Sequence, residues 1–108
     1  MKVRFHYILF LLIVSSGFSQ NLVQNGGFEE YSSCPVKMSN LNKDAAYWSA
    51  PTLGTTDYFN ECSRTKLGVP MNFKGKQEPY EGAGYAGLYL FAPHDYREYI
   101  QVPLMETL

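Results

Sequence analysis

The sequence predicts an all-β architecture, a two-layer sandwich built from short strands. Two observations point there. No stretch after Ser19 keeps a helical hydrophobic period. Gly, Pro, Asn, Ser and Thr also interrupt the chain every few residues, as they do between short strands. The length of 108 residues allows one small domain. With 45% apolar and 18% charged residues the composition is that of a globular chain, which excludes disorder throughout. The formal net charge of −1 excludes the basic surface that a nucleic-acid binder requires. The nine glycines and six prolines follow no period, so collagen-like repeats are excluded.

Residues 1–19 read as a secretory signal peptide. Lys2 and Arg4 supply the positive start, Tyr7–Val14 the apolar stretch, and Gly17 and Ser19 the small residues before a cleavage site between Ser19 and Gln20. The apolar run, about 12 residues when extended to Phe18, is shorter than the ~20 that a membrane span needs. Cleavage therefore leaves no transmembrane span in Gln20–Leu108, and the remaining chain is mildly acidic. The expected location is secreted or in the cell envelope, either outer-membrane-associated or extracellular.

Export places Cys34 and Cys62 in an oxidising compartment, where two thiols tend to pair. A bridge across a loop of that size contributes about 3–4 kcal/mol in the chain-entropy view. A metal site or a catalytic thiol is the weaker reading. His94 is the only histidine left after cleavage and has no cysteine near it in sequence.

The elements follow in order. Leu22-Val23 and Phe28-Glu29 flank the turn signal Asn25-Gly26-Gly27. Ser32–Asn42 reads as a polar loop, Ala45–Ser49 as a short strand ended by Pro51, and Thr55–Phe59 as a strand leading to Cys62. Ser63–Glu81 reads mostly as loop. Gly84–Phe91 is the strongest strand, apolar on both faces and so expected at a sandwich centre, with Tyr85, Tyr89 and Phe91 as packing residues. A turn at Pro93-His94-Asp95 precedes Arg97–Leu104, where Ile100, Val102 and Leu104 share one face and Arg97, Tyr99 and Gln101 the other. About five strands fall short of the roughly eight of a full sandwich, so the expectation is the N-terminal part of a larger domain. The alternative is a complete minimal β-domain stapled by its disulfide.

Asn21-Leu22-Val23-Gln24-Asn25-Gly26-Gly27-Phe28-Glu29-Glu30 resembles the opening strand of galactose-binding-like jelly rolls, the fold of many carbohydrate-binding modules. Gly82–Tyr89 and Tyr99–Leu104 are similar to two later strands of that fold. A narrower set is similar to an N-terminal module of secreted Bacteroidetes cell-surface proteins: Phe28–Pro35, Thr56–Cys62, Gly68–Phe73 and Tyr96–Ile100. In relatives this module precedes an OmpA-like peptidoglycan-binding domain or a gliding-type sorting domain. The resemblance implies a partial jelly-roll β-sandwich over residues 20–108 and a structural calcium ion in the full domain, for which Asn25 and Glu29 are the matching positions; no other cofactor is expected.

Glycan recognition needs flat aromatics for the C–H face of a sugar, and amides or charges for its hydroxyls. Trp48, Tyr58, Phe73, Tyr80 and Tyr96 supply the first; Asn60, Asn72, Gln77 and Arg97 the second. Trp48 also reads as a core residue. A Ser-His-Asp set is excluded by the lone histidine, and Glu78 and Glu81 lack an evident cleft for glycoside hydrolysis. The expected function is a non-catalytic binding module for a polysaccharide or cell-envelope glycan. The alternatives are a structural module of an OmpA-like, peptidoglycan-anchored envelope protein and an accessory domain of a secreted hydrolase.

Overall fold

The computed structural model describes residues 20–108. The expected signal peptide lies outside the described residues. Within them the chain is mostly non-helical and carries short antiparallel strands in two small sheets. Strand β1 (Asp57–Asn60) pairs with β4 (Gly84–Gly87), and β2 (Met71–Asn72) pairs with β3 (Gly75–Lys76) in a tight hairpin. One helical turn, α1 (Leu41–Asp44), and a 3-10 turn at Pro93–Asp95 complete the described elements.

Strand β1 is the buried centre of the molecule, with all four of its residues inside. Strand alternation sends Tyr58 and Asn60 to one face, and Asp57 and Phe59 to the other. On the first face Tyr58 joins Leu41 and Ala45, with Phe28, Trp48, Ala50, Ala86 and Ile100 packed around them. On the second face the Phe59 ring lies 5.4 Å from Tyr85 and 5.7 Å from Phe73. Both glycines that end β4 are required by this packing. A Cβ on Gly84 would stand 2.6 Å from the Phe28 carbonyl oxygen, and one on Gly87 would stand 2.8 Å from the Phe59 ring.

One edge of β1 is taken by β4. The other is closed without a third strand. Asn40 lays its side-chain amide along Tyr58, accepting from its backbone N–H at 2.7 Å and donating to its C=O at 3.1 Å. Thr56 C=O accepts from Leu41 N–H, and Asn60 N–H donates to Leu67 C=O at 3.1 Å. Buried backbone groups must be paired, and here side chain and loop do it.

The remaining chain is tied down by single bridges. Tyr31 pairs with Ala45, Val23 with Leu104, and Ser49 with Gln101 through two bonds of 2.9 and 2.8 Å. The opening turn forms as expected: Phe28 N–H donates to Asn25 C=O at 3.0 Å. The expected bridge between Cys34 and Cys62 is present.

Several expected elements differ. Gly84–Phe91 is a strand only as far as Gly87, because Leu88–Phe91 leave the sheet; Leu90 and Phe91 are 78% and 68% exposed. Tyr89 and Phe91 are therefore not interior packing residues. The doubly buried strand is β1 instead. Arg97–Leu104 and Ala45–Ser49 form no strand and pair only at isolated bridges, and Tyr47 in the second has φ +70°. The loop expected at Ser32–Asn42 ends in α1, and the one expected at Ser63–Glu81 contains the β2–β3 hairpin. Both additions are too short to leave a periodic pattern.

Two stability measurements follow. Replacing both Cys34 and Cys62 by Ala should lower stability by about 3–4 kcal/mol in chemical denaturation, from the closure of a 28-residue loop. Asn40→Ala should cost about 2–3 kcal/mol and more than Asn42→Ala, because it strands two buried backbone groups of Tyr58.

Candidate functional site

A cleft of about 200 Å³ opens where the second face of the β1–β4 pair meets the chain beyond it. It is lined by Asp57, Lys74, Gly87, Leu88, Tyr89 and Glu98. They come from four stretches of chain. Asp57 heads β1, directly opposite Gly87 on β4. Lys74 sits at the apex of the β2–β3 hairpin. Tyr89 lies just past β4 and Glu98 at the start of the final extended segment, joined by the Glu98 N–H bond to Tyr89 C=O at 2.9 Å.

Glu98 is 3% exposed and held from all sides. Its Oε1 accepts from Thr55 N–H at 2.9 Å, Thr55 Oγ1 at 2.7 Å and the Tyr96 hydroxyl at 2.9 Å. Its Oε2 accepts from Tyr89 N–H at 2.8 Å. Burial pushes its pKa up, but the donors from Thr55, Tyr89 and Tyr96 outweigh burial and hold the carboxyl below its usual range. Asp57, 7% exposed, behaves oppositely. Burial raises its pKa, repulsion from Glu98 adds to that, and the Ser39 N–H donor and Lys74 only partly oppose it. Two acids in one cleft are thus pushed apart in opposite directions.

The cation at the mouth is Lys74. Its Nζ lies 3.9 Å from the centre of the Tyr89 ring, contacts the Tyr89 hydroxyl, and sits 5.2 Å from the Phe73 ring. It forms no salt bridge with either carboxylate; the ion pair found among the described residues is Arg97–Asp95 at 2.9 Å.

The residues expected at a glycan site scatter. Tyr96 and Phe73 border this cleft, Tyr96 through Glu98 and Phe73 through Lys74. Arg97 is exposed nearby, its guanidinium 5.8 Å from the Phe91 ring. Elsewhere, the Tyr85 hydroxyl accepts from Asn72 Nδ2 at 2.7 Å and donates to the Gln77 backbone C=O at 3.0 Å, while the Gln77 side chain donates to Glu78 C=O. Tyr58 and Asn60 are core residues: at 0% and 1% exposure they have no surface to offer. The Tyr58 hydroxyl donates to Phe28 C=O at 2.7 Å and accepts from Asn60 Nδ2 at 2.9 Å. Trp48 stacks on Phe28 at 4.6 Å and donates its Nε1–H to Asn25 C=O at 2.8 Å, so it packs against the core. Tyr80 is fully exposed.

The positions expected to hold calcium, Asn25 and Glu29, lie at and just after the opening turn. Asn25 Oδ1 accepts from Glu30 N–H at 2.9 Å, and its Nδ2 donates to Glu30 C=O and Ala46 C=O. Glu29 instead fills the space beside Gly82, a glycine at φ +60°. Among the described residues no three His, Cys, Asp or Glu side chains gather to hold a metal.

Sequence reasoning passed over Asp57, Lys74, Glu98 and the exposed face of Tyr89. One signal was available. Glu98 shares its parity with Ile100, Val102 and Leu104, which puts a carboxylate in register with the apolar stripe.

The acid pair gives a pH prediction. A depressed pKa in the folded state stabilises above the unfolded value, here 4.5, and that contribution is lost as pH falls through the folded value. Glu98→Gln should therefore cost about 1–3 kcal/mol at pH 7, since its amide would face the Tyr89 N–H, and progressively less below pH 4.5. Asp57 has the opposite sign: its raised pKa favours the fold at low pH and loses that contribution as pH rises above 3.8. Asp57→Asn should thus leave the melting temperature at pH 7 equal or higher. Thermal melts from pH 3 to 7 read both effects. Comparison with protein-family models, curated proteins and solved structures returns no match for this chain.

Proposed function

We propose that this chain is a non-catalytic binding module of the cell surface or the secreted fraction that recognises a glycan. In this reading residues 20–108 are the N-terminal part of a galactose-binding-like jelly-roll sandwich exported behind the leader Met1–Ser19. The observation that carries it is the cleft, where the ring of Tyr89 stands beside two carboxylates and an ammonium. Sugars present an apolar face and a rim of hydroxyls, and this pairing of ring and charges matches both. The antiparallel β1–β4 pair and the opening turn at Asn25–Phe28 support the jelly-roll reading.

Binding is favoured over catalysis by the state of Glu98. Both of its oxygens already accept hydrogen bonds from the protein, three on Oε1 and one on Oε2. A carboxylate so restrained serves as a fixed acceptor rather than as a group that approaches a sugar carbon.

A second reading has its own support. Leu90, Phe91, Tyr99 and Met105 are 78%, 68%, 48% and 57% exposed, apolar side chains that a structural envelope module would cover with a neighbouring domain.

A glycan array probed with the exported protein separates the two readings. The glycan reading expects retention on at least one polysaccharide class, and Tyr89→Ala should weaken that retention by about tenfold or more through loss of the aromatic face. Retention on none, or retention untouched by Tyr89→Ala, goes against it.

A further inference from the structure

Asn25-Gly26 is the one step in the chain where asparagine precedes glycine; the other asparagines precede Leu22, Leu41, Lys43, Glu61 and Phe73. Asparagine is chemically labile, and a following residue without a Cβ leaves its nitrogen open to approach the carboxamide. Attack of the Gly26 nitrogen on Asn25 Cγ forms a C–N bond and closes a five-membered succinimide. The Cγ–Nδ2 bond breaks, and Nδ2 leaves as ammonia with the proton of the Gly26 amide. Water then opens the ring to aspartate or isoaspartate. The reaction needs no oxidant and no partner other than water.

The fold holds the same carboxamide away from this reaction. Asn25 Nδ2 donates to Glu30 C=O at 2.8 Å and to Ala46 C=O at 3.0 Å, so both of its protons are used. Oδ1 accepts from Glu30 N–H at 2.9 Å. The main chain is fixed as well: Asn25 C=O takes Phe28 N–H at 3.0 Å and Trp48 Nε1–H at 2.8 Å. Turning Cγ toward the Gly26 nitrogen means giving up the carboxamide bonds, which opens the turn. Each product then conflicts with the place the amide left. Aspartate sets a carboxylate oxygen against two carbonyl oxygens, with no proton to give either. Isoaspartate routes the main chain through the former side chain and takes out of it the C=O that Phe28 and Trp48 share.

We infer that Asn25 is a self-modification site which the native fold suppresses, and that its deamidation makes an opening of the Asn25–Phe28 turn irreversible. The inference is independent of the glycan reading, since Asn25 does not line the cleft. Its reach goes beyond the turn. Trp48 stacks on Phe28 at 4.6 Å, and both pack on the cluster of Leu41, Ala45 and Tyr58. A chain converted at Asn25 therefore loses a contact at the edge of its core. Local opening sets the pace of conversion in the folded protein, so the fraction converted records how often the turn has opened.

The test is peptide mapping by mass spectrometry after incubation at mildly alkaline pH, with the purified protein kept native or unfolded in denaturant. In the unfolded sample Asn25 should convert to aspartate and isoaspartate ahead of every other asparagine. In the native sample it should convert about tenfold more slowly or less. Trp48→Phe keeps a ring on Phe28 but loses the N–H to Asn25 C=O; it should speed native conversion several-fold and leave the unfolded rate unchanged. Gly26→Ala should slow the unfolded reaction. A Cβ there meets nothing closer than 3.6 Å, so the folded protein accommodates it. Asn25→Asp, which copies one product, should melt below the parent protein, with the deficit shrinking in acid as the carboxyl regains a proton to donate. Equal conversion in native and unfolded samples overturns the shielding. No preference for Asn25 in the unfolded sample overturns the modification site. An Asn25→Asp protein as stable as the parent, or converted chains that refold to parental stability, overturn the irreversibility.

Discussion

The pairing of the Asn40 side-chain amide with the backbone of Tyr58 is the constraint on which the rest of the structure depends. A two-stranded sheet has two open edges, and a buried edge with unpaired N–H and C=O groups is costly. Strand β1 is wholly buried, so its second edge needs partners. Asn40 provides an N–H donor and a carbonyl acceptor in the geometry of a neighbouring strand, from a single side chain. Its remaining donor capacity goes to Asp44 Oδ2 at 3.0 Å, which fixes α1 against the same edge. Leu41 and Leu67 extend the pairing in both directions through Thr56 and Asn60. The sheet stops at two strands because the place of a third is occupied by a side chain and a loop.

With β1 fixed in this way, strand alternation decides the rest. Tyr58 and Asn60 must face the Leu41–Ala45 cluster, where their polar atoms satisfy one another. Asp57 and Phe59 must face away. Phe59 is covered by Tyr85 and Phe73, and the two-residue step from Phe59 back to Asp57 carries that face to its end, where the cleft opens. A carboxylate at this end is desolvated by the same burial that makes β1 the core, which is why burial is the largest influence on its pKa. Core and cleft are thus two faces of one four-residue strand.

Much of the class and little of the detail could be read from the amino acids. The short antiparallel strands, the Asn25–Phe28 turn, the turn at Pro93–Asp95 and the Cys34–Cys62 bridge all have local chemistry: an asparagine where φ turns positive at Asn25, a proline that starts a 3-10 turn, two thiols in one chain. Burial of β1 has no such local mark. Asp57-Tyr58-Phe59-Asn60 looks half polar, and only the distant partners Asn40, Gly84 and Leu67 make its polar atoms compatible with the interior. Gly84–Phe91 looks doubly buried because both of its faces are apolar, but that pattern cannot register that no strand pairs with Leu88–Phe91. The site was obscured in the same way. Tyr58, Asn60 and Trp48 have the side chains that bind sugars, and tertiary contacts direct all three inward. Glu98 and Asp57 were legible only as acids within apolar patterns.

Glu98 explains how a chain with so little regular structure holds a defined cleft. Burying a carboxylate is unfavourable unless donors replace its water. Four donors from Thr55, Tyr89 and Tyr96 do so, and the three residues belong to different stretches of chain. Thr55 leads into β1, Tyr89 follows β4, and Tyr96 lies beyond the 3-10 turn. One side chain therefore ties the final segment to the continuations of β1 and β4. Because the Tyr89 N–H is among the donors, the same contact fixes where the Tyr89 backbone stands, and with it the ring that Lys74 covers. The ionised state favours this arrangement, since each donor is stronger toward a charged acceptor, and this is why hydrogen bonding overrides burial in setting its pKa.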